Sequence, residues 1–277
     1  MMEVIFALTR HNYDSYSDYV NLVKNAWGKW CYIDEINFTV SDRLYIFSPL
    51  NGEISPHIQN HIHEKKCKLA WWNLERPPRD EKHAEHKQNV SEMFKSVDYM
   101  IVSDRYYQGE YYKEFGNRII FMPMGYHECL CEYPFNSIRS KYSFAHISYV
   151  WGRRDILNTL PNCMPNSWGE QRKQDLLRTK FMINVHQDQF KILEPLRFII
   201  AVSHGLPIIS ETIHNAAPYE NGVHYIQCSY EEIINKAQFC DTNNYVNYMK
   251  LARNAFDMMK NKYPFTNNIV EMAKYIK

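Results

Sequence analysis

Short apolar runs of strand length alternate with segments of helical character along the first half of the chain. The pattern predicts strands at residues 3–9, 43–50, 67–75, 98–104 and 118–124, with helices at 15–26, 55–65, 89–95 and 107–115. Alternation of this kind indicates an α/β fold built on a parallel sheet that helices cover on both faces.

A second series of the same kind follows residue 141. Strands are predicted at 144–151, 180–186, 206–210 and 223–228, with helices at 154–160, 172–179, 230–236 and 244–262. Residues 125–141 hold Pro134, two close cysteines and no periodic run, which predicts the link between two domains. We therefore expect domains at 1–135 and 136–277, with the option that the last helix, 267–277, packs back on the first.

Residues 180–210 predict a strand, a loop, a short buried helix and a further strand. Pro195 suits the first helical position, which makes Glu194 the capping residue, and Gly205 suits the left-handed residue that follows a helix. Such a βαβ unit has parallel strands, and ligands bind outside the carboxyl ends of strands of this kind. Glu194 and Arg197 are predicted at that end.

Arg197 is unexpected in the first turn of a helix. The start of a helix carries a partial positive charge, so a cation there is unfavourable and an anion is favourable. One interpretation is that Arg197 faces a bound anion, in which case Arg197→Ala should leave folding stability nearly unchanged. The other is a surface arginine that lies in solvent or pairs with Glu194.

Further polar residues follow the predicted strands. Gly152, Arg153 and Arg154 come directly after one strand and repeat the cationic helix start, which favours a shared polyanion such as a diphosphate; exposed arginines paired with acids are the alternative. His186 ends another strand and could contact a sugar or phosphate. Other residues at such positions are Arg172 and Trp168 near a helix start, and Asn73, Glu75 and Arg76 after a strand of the first half.

Composition limits the functional classes. The 277 residues carry a net charge of +1, which gives no overall attraction to nucleic acid or anionic membranes. The seven cysteines are scattered, as in reduced cytoplasmic proteins, and we see neither a signal peptide nor an apolar run of membrane-spanning length. The histidine spacings do not indicate a metal site.

Several common motifs are absent. The chain has no G-x-G-x-x-G, no G-x-x-x-x-G-K-[ST], no G-x-S-x-G and no pair of aspartates separated by one residue. This argues against typical dinucleotide oxidoreductases, P-loop phosphotransferases and α/β hydrolases. It also argues against metal-dependent sugar transferases that use an aspartate pair.

Three segments resemble the group 1 glycosyltransferases of GT-B fold, including spore-maturation, capsule and viral relatives. They are WWNLE at 71–75, residues 104–128 with the pattern P-x-G-Y, and residues 167–211. The resemblance implies two Rossmann-like domains facing a cleft, with a nucleotide sugar held mainly by the second and an acceptor entering from the first. In one respect the chain departs from the family, because Ile200 takes the place of a glutamate that usually contacts the donor ribose.

We therefore expect a glycosyltransferase that moves a sugar from a nucleoside diphosphate sugar to a glycan or other hydroxyl compound, without a metal or a separate cofactor. Arginines and helix N-termini can stabilise the leaving diphosphate. The candidate residues are Glu194, Arg197 and His186 for catalysis; Gly152, Arg153, Arg154, Arg172, Trp168, Asn184 and Gly205 for the donor; and Asn73, Glu75 and Arg76 for the acceptor.

Two alternatives remain at this stage. The first, suggested by Ile200, is an inactive protein that still binds a nucleotide or nucleotide sugar. A nucleic-acid-binding protein or DNA-base glycosylating enzyme would use the many tyrosines, although the neutral charge balance argues against tight DNA binding.

Overall fold

The computed structural model describes residues 2–10, 16–48, 55–74, 91–147, 157–186, 191–242 and 245–277. The chain divides into two compact units. The first comprises Met1–Tyr13, Val20–Pro123 and Thr266–Lys277, and the second comprises Asp14–Tyr19 and Met124–Phe265.

The first unit is built on a six-stranded parallel sheet. In chain order its strands are β1 (Glu3–Leu8), β2 (Trp30–Tyr32), β3 (Arg43–Phe47), β4 (Lys68–Asn73), β5 (Tyr99–Val102) and β6 (Ile119–Phe121). Their order across the sheet is β2-β1-β3-β4-β5-β6, a doubly wound arrangement. Strand β2 was not predicted, because three residues are too few to show a periodic pattern.

Helical segments connect these strands. They include α1 (Ser17–Asn21), which continues into a π-helical stretch at Leu22–Trp27, then α2 (Pro56–His61) and α3 (Arg105–Phe115). The strands supply the core, with Phe6, Ile46 and Trp72 fully buried. The alternation predicted from the sequence is therefore present, with element ends shifted by a few residues.

The second unit is built on a four-stranded parallel sheet. Its strands are β7 (Tyr142–Ala145), β8 (Thr179–Asn184), β9 (Ile208–Glu211) and β10 (Ile226–Cys228), in the order β10-β9-β8-β7. Its helices include α4 (Gly169–Leu177), α5 (Pro195–Ser203), α6 (Ile233–Thr242) and α7 (Tyr245–Lys262). Phe144, Phe181, Ile183 and Ile209 form the centre of its core.

The boundary between the units differs from the expected one. It falls after Pro123 rather than after residue 135, because the following segment packs in the second unit: the rings of Tyr126 and Phe135 lie 5.1 and 5.2 Å from that of Phe256. The last helix, α8 (Phe265–Ala273), lies largely in the first unit, where Lys277 and Tyr99 are hydrogen-bonded to each other.

Candidate functional site

Helix α5 begins and ends where the sequence places its signals. Pro195 occupies the first turn and Glu194 the capping position, although the Glu194 side chain makes no capping hydrogen bond. At the other end Gly205 has φ +66°, and the amides of Gly205 and Leu206 donate to Val202 O and Ala201 O, which is a Schellman motif. The helix between is buried from Arg197 to Ser203.

Arg197 points into the protein and not into solvent. The residue is 7% exposed, and its Nη1 donates to Asn184 Oδ1 at 2.5 Å and to Val185 O at 3.2 Å. Glu194 Oε1 lies 3.9 Å from Nη2. A solvent-exposed Arg197 is therefore wrong, whereas the pairing with Glu194, the other part of that alternative, is present; the guanidinium lies at the carboxyl end of β8.

Buried polar residues from two neighbouring strands meet at this end of the sheet. Asn184 is paired with Ser210 in the β8–β9 register, and its Nδ2 donates to Ser210 Oγ at 2.8 Å. Glu211, the last residue of β9, accepts a hydrogen bond from the His186 backbone N–H at 2.7 Å. Each of these four residues is at most 4% exposed. We call Asn184, His186, Arg197, Ser210 and Glu211 the carboxyl-edge cluster.

The charges of the cluster are buried together. Burial lowers the pKa of Arg197, and the negative charges of Glu194 and Glu211 oppose that shift. A guanidinium remains charged in nearly all protein environments, so this is a buried cation accompanied by two carboxylates.

His146 adds a neutral imidazole next to the cluster. It follows β7, and its Nδ1 lies 3.0 Å from Ile183 O, which is a backbone acceptor. The N–H is therefore assigned to Nδ1. Burial, together with the positive charge of Arg197, lowers the pKa of His146 to about 3, so the ring is neutral at physiological pH.

The sequence did not identify His146, Ser210 or Glu211. His146 lay inside a predicted strand, and the predicted strand 206–210 stopped one residue before Glu211. The available signal was their position, because polar residues at the ends of neighbouring apolar strands share one edge of a parallel sheet.

Arg172 and Trp168 contribute to packing. The Arg172 guanidinium forms an ion pair with the buried Asp18 carboxylate and lies 5.0 Å from the Trp168 ring centroid. It also donates to Ser17 Oγ at 3.2 Å. These contacts account for the position of Arg172 within the fold, and the donor-binding role of the two residues stays a prediction.

Gly205 is also explained by packing. A side chain there would require a left-handed conformation, and an added Cβ would lie 2.9 Å from the Phe135 ring and 3.0 Å from Pro134 O. The glycine is needed where the end of α5 meets the segment at 134–135, so a donor contact is not required to account for it.

A second buried arginine, Arg139, lies beside that segment. Its Nη1 donates to Leu176 O at 3.1 Å and Thr179 O at 2.9 Å, and its Nη2 donates to Pro134 O at 2.6 Å and to His204 O. Arg139 is 9% exposed. No sequence pattern pointed to this arginine.

Asn73 is the acceptor-side candidate that can be described. It ends β4, is 6% exposed, and its Nδ2 donates to Tyr111 Oη at 3.3 Å. Five other candidates, Glu75, Arg76, Gly152, Arg153 and Arg154, lie outside the described residues.

Within the same described ranges, no three His, Cys, Asp or Glu side chains come together as ligands for an ion, and no helix has the length and apolar character needed to cross a bilayer. The seven cysteines, all within those ranges, are free thiols.

Known family models do not match the chain, and neither does any curated protein. Solved structures do. HepE from Anabaena, in complex with UDP and glucose, aligns over 99% of both chains with a TM-score of 0.63 and 10% identity. An α1,3-fucosyltransferase aligns over 99% of this chain and 89% of its own, with a TM-score of 0.57 and 12% identity.

TarM from S. aureus, in a complex that includes UDP, aligns with a TM-score of 0.64 and 14% identity. The alignment covers 86% of this chain but 56% of TarM, so the chain spans about half the length of that protein. These neighbours are glycosyltransferases of GT-B type. The two parallel α/β units of this chain thus have the GT-B, Rossmann-like fold.

Proposed function

We propose that this protein is a glycosyltransferase whose donor is a nucleoside diphosphate sugar. The observation that carries the proposal is the buried Arg197, which lies in the first turn of α5 at the carboxyl ends of β8 and β9. Ligands of doubly wound sheets bind at that edge, and a helix N-terminus favours anions. UDP in the HepE and TarM complexes supports a nucleotide as the ligand.

The transfer breaks the bond between the anomeric carbon and the diphosphate oxygen and forms a bond from that carbon to an acceptor oxygen. Negative charge develops on the leaving diphosphate, and the proton lost by the acceptor hydroxyl passes to that diphosphate or to solvent. In this proposal Arg197 stabilises the diphosphate electrostatically, as fixed cations do in other transfer enzymes. Glu194 and His186 are assigned to the hydroxyl groups of the donor.

Asn184 has a supporting role in this scheme. Ser210 Oγ accepts from Asn184 Nδ2, which directs Asn184 Oδ1 at Arg197 Nη1. Asn184 therefore orients the guanidinium. Arg153 and Arg154 would add positive charge, and Asn73, Glu75 and Arg76 remain the proposed acceptor side, where a glycan or another hydroxyl compound would bind.

A panel of nucleotide sugars tests the proposal. Hydrolysis or transfer would be followed for several bases and sugars, with UDP-glucose included, and in excess chelator as well as with manganese. We expect turnover of at least one donor and its persistence in chelator, because arginines can neutralise the leaving diphosphate. Turnover that stops in chelator and returns with manganese would place the electrostatic catalyst elsewhere.

An inactive nucleotide-binding protein is the second candidate. Ile200, at the position of the family's glutamate, is 2% exposed within α5 and offers no carboxylate. Binding of UDP and of nucleotide sugars without turnover of any member of the panel would favour this candidate.

A further inference from the structure

Two side chains of opposite charge contact three consecutive residues at the carboxyl end of β8. Arg197 donates to Asn184 Oδ1 and Val185 O, while Glu211 Oε2 accepts from the next backbone N–H, that of His186. Val185 and His186, which follow β8 and which we call the His186 segment, are therefore contacted by a buried cation and by a buried anion.

Glu211 is well placed to fix this arrangement. It ends β9, which pairs with β8 on one side and with β10 on the other, where Glu211 is opposite Cys228. Glu211 is 4% exposed, whereas the side chain of Glu194, the other carboxylate near Arg197, is 30% exposed. A buried charge without compensation is costly, so Glu211 helps to balance the charge of Arg197 in the folded protein.

We propose that Glu211 is a positioning residue that holds the His186 segment and acts as the resident counter-ion of Arg197, in competition with an incoming anion. The identification of that anion as a nucleotide diphosphate rests on the proposed function. A resident carboxylate keeps the guanidinium ordered in the empty site. Its repulsion also weakens diphosphate binding, which favours release of the nucleoside diphosphate product.

Two substitutions separate the two parts of this role. Glu211→Gln keeps an oxygen acceptor for the His186 N–H and removes the charge. Glu211→Asp keeps the charge and withdraws the carboxylate from that N–H. The matched control is Asp241→Asn, because Asp241 binds Ser143 Oγ at 2.9 Å and Lys180 Nζ at 2.7 Å at the amino ends of β7 and β8.

Titration calorimetry with UDP and with inorganic pyrophosphate measures the charge effect. We expect both probes to bind Glu211→Gln about tenfold more tightly than wild type, since the negative charge that contacts His186, next to the Val185 carbonyl bound by Arg197, no longer repels the anion. Asp241→Asn should bind both probes as wild type does. Amide hydrogen exchange at His186 should accelerate in Glu211→Asp and remain slow in Glu211→Gln.

The outcomes distinguish this role from the proposed function. Unchanged or weaker UDP and pyrophosphate binding in Glu211→Gln would overturn the counter-ion role and leave nucleotide-sugar binding intact. Tighter pyrophosphate binding with no UDP binding to any variant would support the counter-ion and overturn the proposed function. Failure of both probes to bind any of the proteins would overturn both, and slow His186 exchange in Glu211→Asp would remove the positioning role.

Discussion

Two buried arginines of the second unit lie in opposite electrostatic settings. Arg139 donates to backbone carbonyls at Pro134, Leu176, Thr179 and His204, two of which belong to the last turn of α4 and the capping residue of α5. Helix C-termini attract cations. Arg197 lies in the first turn of α5, where the helix repels a cation.

The difference separates packing from ligand binding. Arg139 satisfies carbonyl groups that would otherwise be buried without donors, so its position is explained by stability alone. Arg197 lies where the helix favours an anion, and the fold retains it there with an amide oxygen, a carbonyl and nearby carboxylates. The same residue type thus serves stability in one region and, in our proposal, function in the other.

The largest expected effect comes from removing the packing arginine. Arg139→Met should lower the free energy of unfolding by at least about 4 kcal/mol, because several buried carbonyls lose their donor at about 1–3 kcal/mol each. Urea unfolding measures this loss. UDP affinity of the folded fraction at low temperature should remain that of wild type, and weaker binding there would remove the distinction between the two arginines. If Arg139→Met does not fold, Arg139→Lys should show a smaller loss of the same kind.

Substitution of Gly205, like that of Arg139, should lower stability and leave UDP binding unchanged. Gly205→Ala is expected to cost about 2–4 kcal/mol, from a left-handed alanine and from contact of the new Cβ with the Phe135 ring and Pro134 O. Thermal melts and UDP titration measure the two properties separately. Phe135→Leu in the same chain should recover part of the stability, and a stable Gly205→Ala that binds UDP poorly would return this glycine to the donor site.

Arg197→Met is the matched change at the other arginine. It should weaken UDP binding by about 1.5–3 kcal/mol, the range for hydrogen bonds to charged groups. Because Asn184 Oδ1 and Val185 O lose a donor, it should also lower stability by about 1–3 kcal/mol. This revises the expectation from sequence that stability would hardly change, because that expectation counted the unfavourable cation at a helix start and not the hydrogen bonds that Arg197 makes. Full affinity in a folded Arg197→Met would show that Arg197, like Arg139, serves packing only.

The strands and helices could be predicted from the sequence better than the buried polar contacts between them. Apolar alternation depends on local residues, so the sheet series and helix α5 with its terminal signals could be predicted. The partners of Arg139 come from three segments, at 134, 176–179 and 204, and no local pattern brings them together. Likewise Glu211 and Asn184 become neighbours through strand register, which follows from the fold.

A further expected effect is a pH dependence shared by both regions. Burial lowers the pKa of His204, whose carbonyl binds Arg139, to about 4, and burial with Arg197 lowers that of His146 to about 3, both from an ordinary value of 6.5. The folded state then binds fewer protons than the unfolded state below about pH 6.5. Stability is therefore complete above that pH and declines as the pH falls toward the folded values.

Each histidine should contribute up to about 1.4 kcal/mol per pH unit to that decline. His146→Asn and His204→Asn should each reduce the slope of unfolding free energy between about pH 6 and pH 4.5, as measured by urea unfolding at several pH values. A slope unaffected by both substitutions would mean that these imidazoles are not held neutral by the fold.

The central claim is tested most directly by titration calorimetry with UDP. Wild type, Arg197→Met and Arg139→Lys are compared under conditions in which the same fraction of each protein is folded. The proposal that Arg197 stabilises the donor diphosphate predicts that UDP binds wild type and Arg139→Lys alike. It also predicts that Arg197→Met loses affinity by about tenfold or more. Equal UDP affinity in all three proteins, or no binding to wild type, would contradict it.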